Sequence, residues 1–214
     1  MKKRIAPSQE ARPYVDLKAA FIEPPYFILN CGLFFSFVGL YFSFFYLPTY
    51  FISFLRSNAD IGFYSLAILN AASVFGRIAP GLLADRIGCL NTTVPMSLIA
   101  SILAFAWIGI HDGAGAIVFA CIYGFSSGAI LSLPPTIVAR LTPNVNIMGT
   151  RMGFSFAFAG TGLLIGNPLA GALLELKHAV FWKAQLFSAM MLIAGTILFM
   201  CVRLLKGKEQ GWKI

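Results

Sequence analysis

Arg77 is the residue in this chain best suited to chemistry. It stands about 15 residues into an apolar run, roughly 22 Å along a helix. A cation inside apolar sequence is costly and by default marks a functional site. Its planar fork is also the best side-chain partner for a carboxylate. Two uses are open to it: contact with an anionic solute, or a structural role in which it reaches back to the aqueous boundary or pairs with Asp85. Ser73 and Asn70 lie one and two helical turns before it. Asn30, Asn70 and Asn167 are amides in apolar runs, and buried amides must find hydrogen-bond partners. They line an aqueous path or, more commonly, link helices. Tyr41, Phe45 and Tyr46 are aromatic enough to shape a cavity, though such side chains mostly pack or anchor at interfaces.

A second cluster follows at once. Gly81-Leu82-Leu83-Ala84-Asp85-Arg86-Ile87-Gly88 is a charged, glycine-bracketed turn between two apolar segments. Glycines such as Gly81 and Gly88 let backbones approach, while Asp85 and Arg86 can pair or meet helix ends. Arg151 opens a later apolar run, where it caps a turn or binds Asp85. His111 and Asp112 fit a solvated turn better than a pH sensor. No Ser-His-Asp order, metal motif or phosphate loop stands out, so no catalytic residue, metal or cofactor is expected. The four cysteines, Cys31, Cys89, Cys121 and Cys201, are too scattered for a zinc site or a disulfide frame.

The elements that position these residues must be membrane helices. The chain of 214 residues is 58% hydrophobic and only 11% charged, with a mean hydropathy of +0.81; soluble domains carry roughly 25% charged residues. Six runs are long enough to span: Tyr26–Phe51, Gly62–Leu83, Val94–Ile110, Ala116–Ala139, Phe154–Leu174 and Ala184–Leu205. None alternates as a barrel strand would, so all six are expected to be helices, an all-α bundle. The organisation expected is a basic cytoplasmic segment over 1–23, a bundle over 24–205 and a tail over 206–214. Of the 16 basic residues, all but Arg56, Lys177 and Lys183 fall on one side of such a bundle. The net charge of +8 therefore reflects topology rather than nucleic-acid binding, and both termini are expected in the cytoplasm. External turns fall near Ser57, His111 and Lys177.

The Gly81–Gly88 run resembles the signature loop of the major facilitator superfamily, G-x-x-x-D-R-x-G followed by basic residues; Cys89 and Leu90 stand where those are usual. Leu66-Ala67-Ile68-Leu69-Asn70 with Gly76-Arg77-Ile78-Ala79-Pro80-Gly81 resembles helix eight of its monocarboxylate-porter branch. Tyr123-Gly124-Phe125-Ser126-Ser127-Gly128 resembles helix ten. Gly149-Thr150-Arg151-Met152-Gly153 and Gly166-Asn167-Pro168-Leu169-Ala170-Gly171 resemble helix eleven, with wording nearest the fungal members. The likeness runs from about Pro24 to Leu205 and implies the C-terminal six-helix half of a twelve-helix fold. It also implies that Arg77 occupies the family's substrate arginine, whereas Ser73 stands at the acid that couples protons there.

The resemblance implies a transporter for a monocarboxylate or similar small organic solute, not an enzyme, working by alternating access in the lipid bilayer. Such a site lies between two bundles, and this chain supplies one. The chain would then be a truncated half, pair with an N-terminal half, or form a homodimer. The rival reading is a non-transporting assembly or regulatory subunit that associates with full-length relatives.

Overall fold

The computed structural model describes residues 23–55, 58–142, 145–174 and 181–210. The basic segment before Glu23, the turns at Ser57 and Lys177 and the last residues of the tail lie outside the described residues. Among the described residues the regular elements are all helical: α1 (Pro24–Ser53), α2 (Ala59–Ile87), α3 (Cys89–Ala106) with a short 3-10 turn at Trp107–Gly109, α4 (Gly113–Ser132), α5 (Pro134–Leu141), α6 (Val145–Ala172) and α7 (Trp182–Gln210). Six helical stretches are long and apolar enough to cross a membrane, with α4 and α5 counting as one.

Each boundary has a local cause. α1 begins on Pro24-Pro25, whose missing N–H groups cost nothing in the first turn. α2 and α3 are separated by Gly88 alone, at φ 103°, a conformation that penalises any side chain. The sequence places the start of the third span at Val94; the helix starts five residues earlier, at Cys89, because one left-handed glycine completes the turn. The fourth span is not one continuous helix. Pro134 and Pro135 cannot donate to the carbonyls behind them, so α4 stops at Ser132 and α5 restarts after Leu133. Asp112 caps α4 by accepting from the Gly115 N–H at 2.8 Å, so that turn is a capping turn.

Glycine seams hold the bundle. A methyl group on Gly76 would strike the Phe125 carbonyl, and one on Gly124 or Gly128 would strike the Leu69 or Ser73 carbonyl. Small residues four apart thus let α2 and α4 touch backbone to backbone. Gly162 and Gly166 do the same for α6 against Phe34 and Val38 of α1. An aromatic column of Phe42, Tyr50, Trp107, Phe119 and Tyr123 fills the core between α1, α3 and α4. Tyr123 donates from this column to the Leu40 carbonyl at 3.0 Å, and Tyr50 to that of Ile110.

The spans are not equally covered. Within the most apolar stretch of each, 61% of residues are buried in α1 and in α4–α5, but only 22% in α2 and in α6. α2 and α6 are therefore the bundle's open edges, and they carry Arg77 and Arg151.

Candidate functional site

Arg77 is exposed on α2, ten residues before the helix ends at Ile87, so about 15 Å along the axis from that end. It lines an open groove of about 330 Å³ with Ile78, Gly81, Leu82, Asp85, Cys89, Ser132, Leu133 and Thr136 among its walls. The far wall is the α4–α5 elbow, where the proline break leaves the carbonyls of Ile130 and Leu131 without helical donors. The groove thus offers a guanidinium, a carboxylate and two hydroxyls to one volume.

The other members of the expected site divide. Asn70 is exposed, two turns from Arg77 on the same side of α2, and its amide donates to the Leu66 carbonyl at 2.9 Å. Its side-chain oxygen stays available. Ser73 does not join them. It is buried against α4, its hydroxyl donates to the Asn70 carbonyl at 2.8 Å, and its own carbonyl meets Gly128.

In the charged turn, Gly88 is required by its backbone angle, whereas Gly81 has open space where a Cβ would stand. Gly81 faces the groove rather than a helix seam. Asp85 and Arg86 are exposed, and among the described residues Asp85 makes no ion pair. Arg151 is not drawn to it. Arg151 is 5% exposed and grips Glu23 bidentately, with Nη1 to Oε2 and Nη2 to Oε1 both at 2.7 Å. Its guanidinium carbon also lies 5.0 Å from the centre of the Tyr26 ring. Tyr26 returns a hydrogen bond to the Arg151 carbonyl at 2.7 Å and sits 3.2 Å from the Ser155 hydroxyl. The start of α1 and the second turn of α6 are clamped at this corner. The Arg151 hydrogen bonds hold the Glu23 carboxyl below the usual carboxylate range, against a smaller opposing effect of burial.

Sequence reasoning missed the Glu23–Arg151 clamp because Glu23 falls in the last position of the polar leader. A signal was present. The first and fifth spans run the same way through the membrane, so residues 23 and 151 open them on the same side. Tyr41 and Phe45, which the sequence offered as aromatics to shape a cavity, both stand on α1. Tyr41 belongs to an aromatic row, with ring centres 5.8 Å from Phe37, 5.6 Å from Phe44 and 6.3 Å from Phe45. Phe37 in turn lines a narrow cleft with Leu131, Pro134, Met152 and Phe156, on the other flank of the α4–α5 elbow.

The chain is similar over nearly all its length to fungal membrane carriers. It is 36% identical over 192 residues to the aspyridones efflux protein apdF of Emericella nidulans, covering 90% of this chain and 39% of the relative. An MFS-type transporter of Gibberella moniliformis is 30% identical over 214 residues, all of this chain and 51% of that protein. The MFS transporter asaE of Aspergillus flavus is 34% identical over 206 residues, 95% of this chain and 46% of that protein. These relatives support membership of the major facilitator superfamily. No family model matches the chain. The chain spans about half the length of the curated relatives it matches, or less. Their names, with the six apolar helices, support a multi-pass membrane protein of the transporter class.

Proposed function

We propose that this chain is the C-terminal half of a major facilitator transporter that moves a small organic acid by alternating access. The observation that carries the reading is Arg77, a cation exposed on the least covered side of the bundle and within a groove of about 330 Å³. Among the described residues the ion pair with Glu23 is made by Arg151, not by Arg77. A carboxylate on the solute would supply the bidentate partner it lacks. The second bundle comes from an N-terminal half or a second copy, laid on the exposed faces of α2 and α6. A monocarboxylate is the simplest solute of this chemistry. Two relatives are named as efflux proteins, for aspyridones and for agnestins, which supports export as the direction.

The residues divide into roles. Arg77 binds the acid group and Asn70 offers its amide oxygen to a donor on the solute. Ser73 holds the α2–α4 seam, so proton coupling through this turn of α2 is absent. Asp85, Arg86 and Gly88 shape the turn on the cytoplasmic side, and both termini lie there. The experiment is uptake of a labelled monocarboxylate into liposomes holding the chain together with the remaining half of a relative. Arg77→Lys keeps the charge but loses the fork, so flux should fall about tenfold. Wild-type flux from Arg77→Lys would remove Arg77 from the site.

A further inference from the structure

Arg77 and Asp85 carry opposite charges on one wall of one groove, and the strip of helix between them is bare. Resting on the reading of Arg77 as an acid-group contact, we propose that the groove takes a zwitterion of the ω-amino acid kind. The carboxylate lies on Arg77, the ammonium on Asp85, and the methylene stem runs between them over Gly81.

Helical spacing sets the geometry. Arg77, Gly81 and Asp85 stand four residues apart in turn on α2, so they form one row along the helix. All three line the open groove of about 330 Å³. The backbone positions of the two charged residues are about 12 Å apart along the axis. Both side chains are exposed, and among the described residues neither makes an ion pair. The groove therefore holds two opposite charges that do not neutralise each other.

Gly81 stands midway between them. A Cβ there would meet open space, whereas a methyl group on Gly76, one turn earlier, would strike the Phe125 backbone. Close helix packing thus accounts for Gly76 and not for Gly81. A solute stem lying along the row does account for it, because a larger side chain would fill the strip between the charges.

The walls suit the middle and the ends of such a solute differently. Ile78 and Leu82 flank Gly81 and are exposed, and Leu133 of the elbow lines the same volume. These apolar surfaces gain by covering methylene groups. Asp85 lies two residues before α2 ends at Ile87, with Arg77 deeper. Thr136 adds a hydroxyl to the groove beyond the elbow. Carboxylate and hydroxyl oxygens accept hydrogen bonds, and an ammonium has three to donate. An acid with no amine engages the inner charge only. An α-amino acid carries both charges on one carbon and is too short to span the row.

The test is calorimetric titration of the full chain, in detergent micelles, with 6-aminohexanoate and 6-acetamidohexanoate. The second keeps the acid and the stem but has no charge on nitrogen. The amine form should bind about two- to fivefold more tightly, the range of a partly wet ion pair. Asp85→Asn should abolish that preference while leaving 6-acetamidohexanoate affinity within about twofold. Arg77→Gln should weaken both acids. Gly81→Leu should weaken both as well, with the melting midpoint of the chain unchanged. Equal affinities for the two acids in wild type, both lost in Arg77→Gln, would overturn the zwitterion proposal and leave the acid-group reading standing. A preference for the amine that survives Asp85→Asn would also overturn the proposal. Absence of Arg77-dependent binding for either acid would overturn both.

Discussion

Glu23→Gln is the most telling single change in the scaffold. Arg151 is 5% exposed and its partner is 48% exposed, so the two ends of the pair stand in different surroundings. Removing the carboxylate leaves a sheltered guanidinium with a neutral amide in place of its counter-charge. Breaking a buried pair costs about 3–5 kcal/mol. Here Glu23 is close to half exposed, water reaches that end, and Gln retains one hydrogen bond, so the loss should be nearer about 1–2 kcal/mol. For a chain of this size that lowers the melting midpoint by roughly 2–8 °C. Arg151→Met in the Glu23→Gln background should recover part of the loss, because no unpaired charge then remains in the corner. The pair also carries a pH signature. The folded carboxyl titrates below its ordinary value of 4.5. Its contribution is therefore complete above that value and is lost as the pH falls through the lowered folded pKa. Thermal unfolding of wild type, single and double variants in one detergent, at neutral pH and at successive steps below pH 4.5, reads all of this. A double variant less stable than Glu23→Gln, or a pH profile shared by wild type and Glu23→Gln, would refute the reasoning.

Gly76→Ala should cost about 1–3 kcal/mol, because its methyl group meets the Phe125 backbone, while Gly81→Ala, with open space around it, should leave the melting midpoint unchanged. Ser73→Asp should destabilise the bundle by about 1–3 kcal/mol, since the carboxyl would be forced into the α2–α4 seam, and should not restore pH-driven uptake. Ser73→Ala should cost less than about 1 kcal/mol in the same unfolding assay. Thiol labelling of tags at both ends of the chain should require permeabilised cells; labelling of either end from outside would overturn the cytoplasmic placement.

The spans were legible in the sequence because lipid leaves backbone groups no partner outside the helix, so length and hydropathy decide. All six runs appear, with the start of the fifth displaced by seven residues, from Phe154 to Ile147, and every other end by five or fewer. The displacements have causes that hydropathy does not weigh. Cys89 to Thr93 reads as a polar approach to the third span, yet Thr92 and Thr93 turn their hydroxyls back onto the Gly88 and Cys89 carbonyls and join the helix. The elbow at Leu133 lies inside an unbroken apolar run, where only Pro134-Pro135 marks it. Within the site, the exposure of Arg77 and Asn70 on one side follows from helical spacing. The inward turn of Ser73 does not, because the direction of the α2–α4 seam depends on Gly76, Gly124 and Gly128 together. The partner of Arg151 is legible only in part: the sequence puts Glu23 and Arg151 on one side of the membrane, but which helices are neighbours, and so that α1 lies beside α6, is decided by tertiary packing.

Flux across a sealed membrane tests the central claim most directly. Liposomes should hold the chain with the remaining half of a relative, in wild-type and Arg77→Gln forms inserted in equal amounts. The account predicts saturable uptake of a labelled monocarboxylate by the wild type, at least tenfold above Arg77→Gln and little changed by a pH gradient. Equal uptake by the two forms, or uptake by neither above empty liposomes, would contradict it.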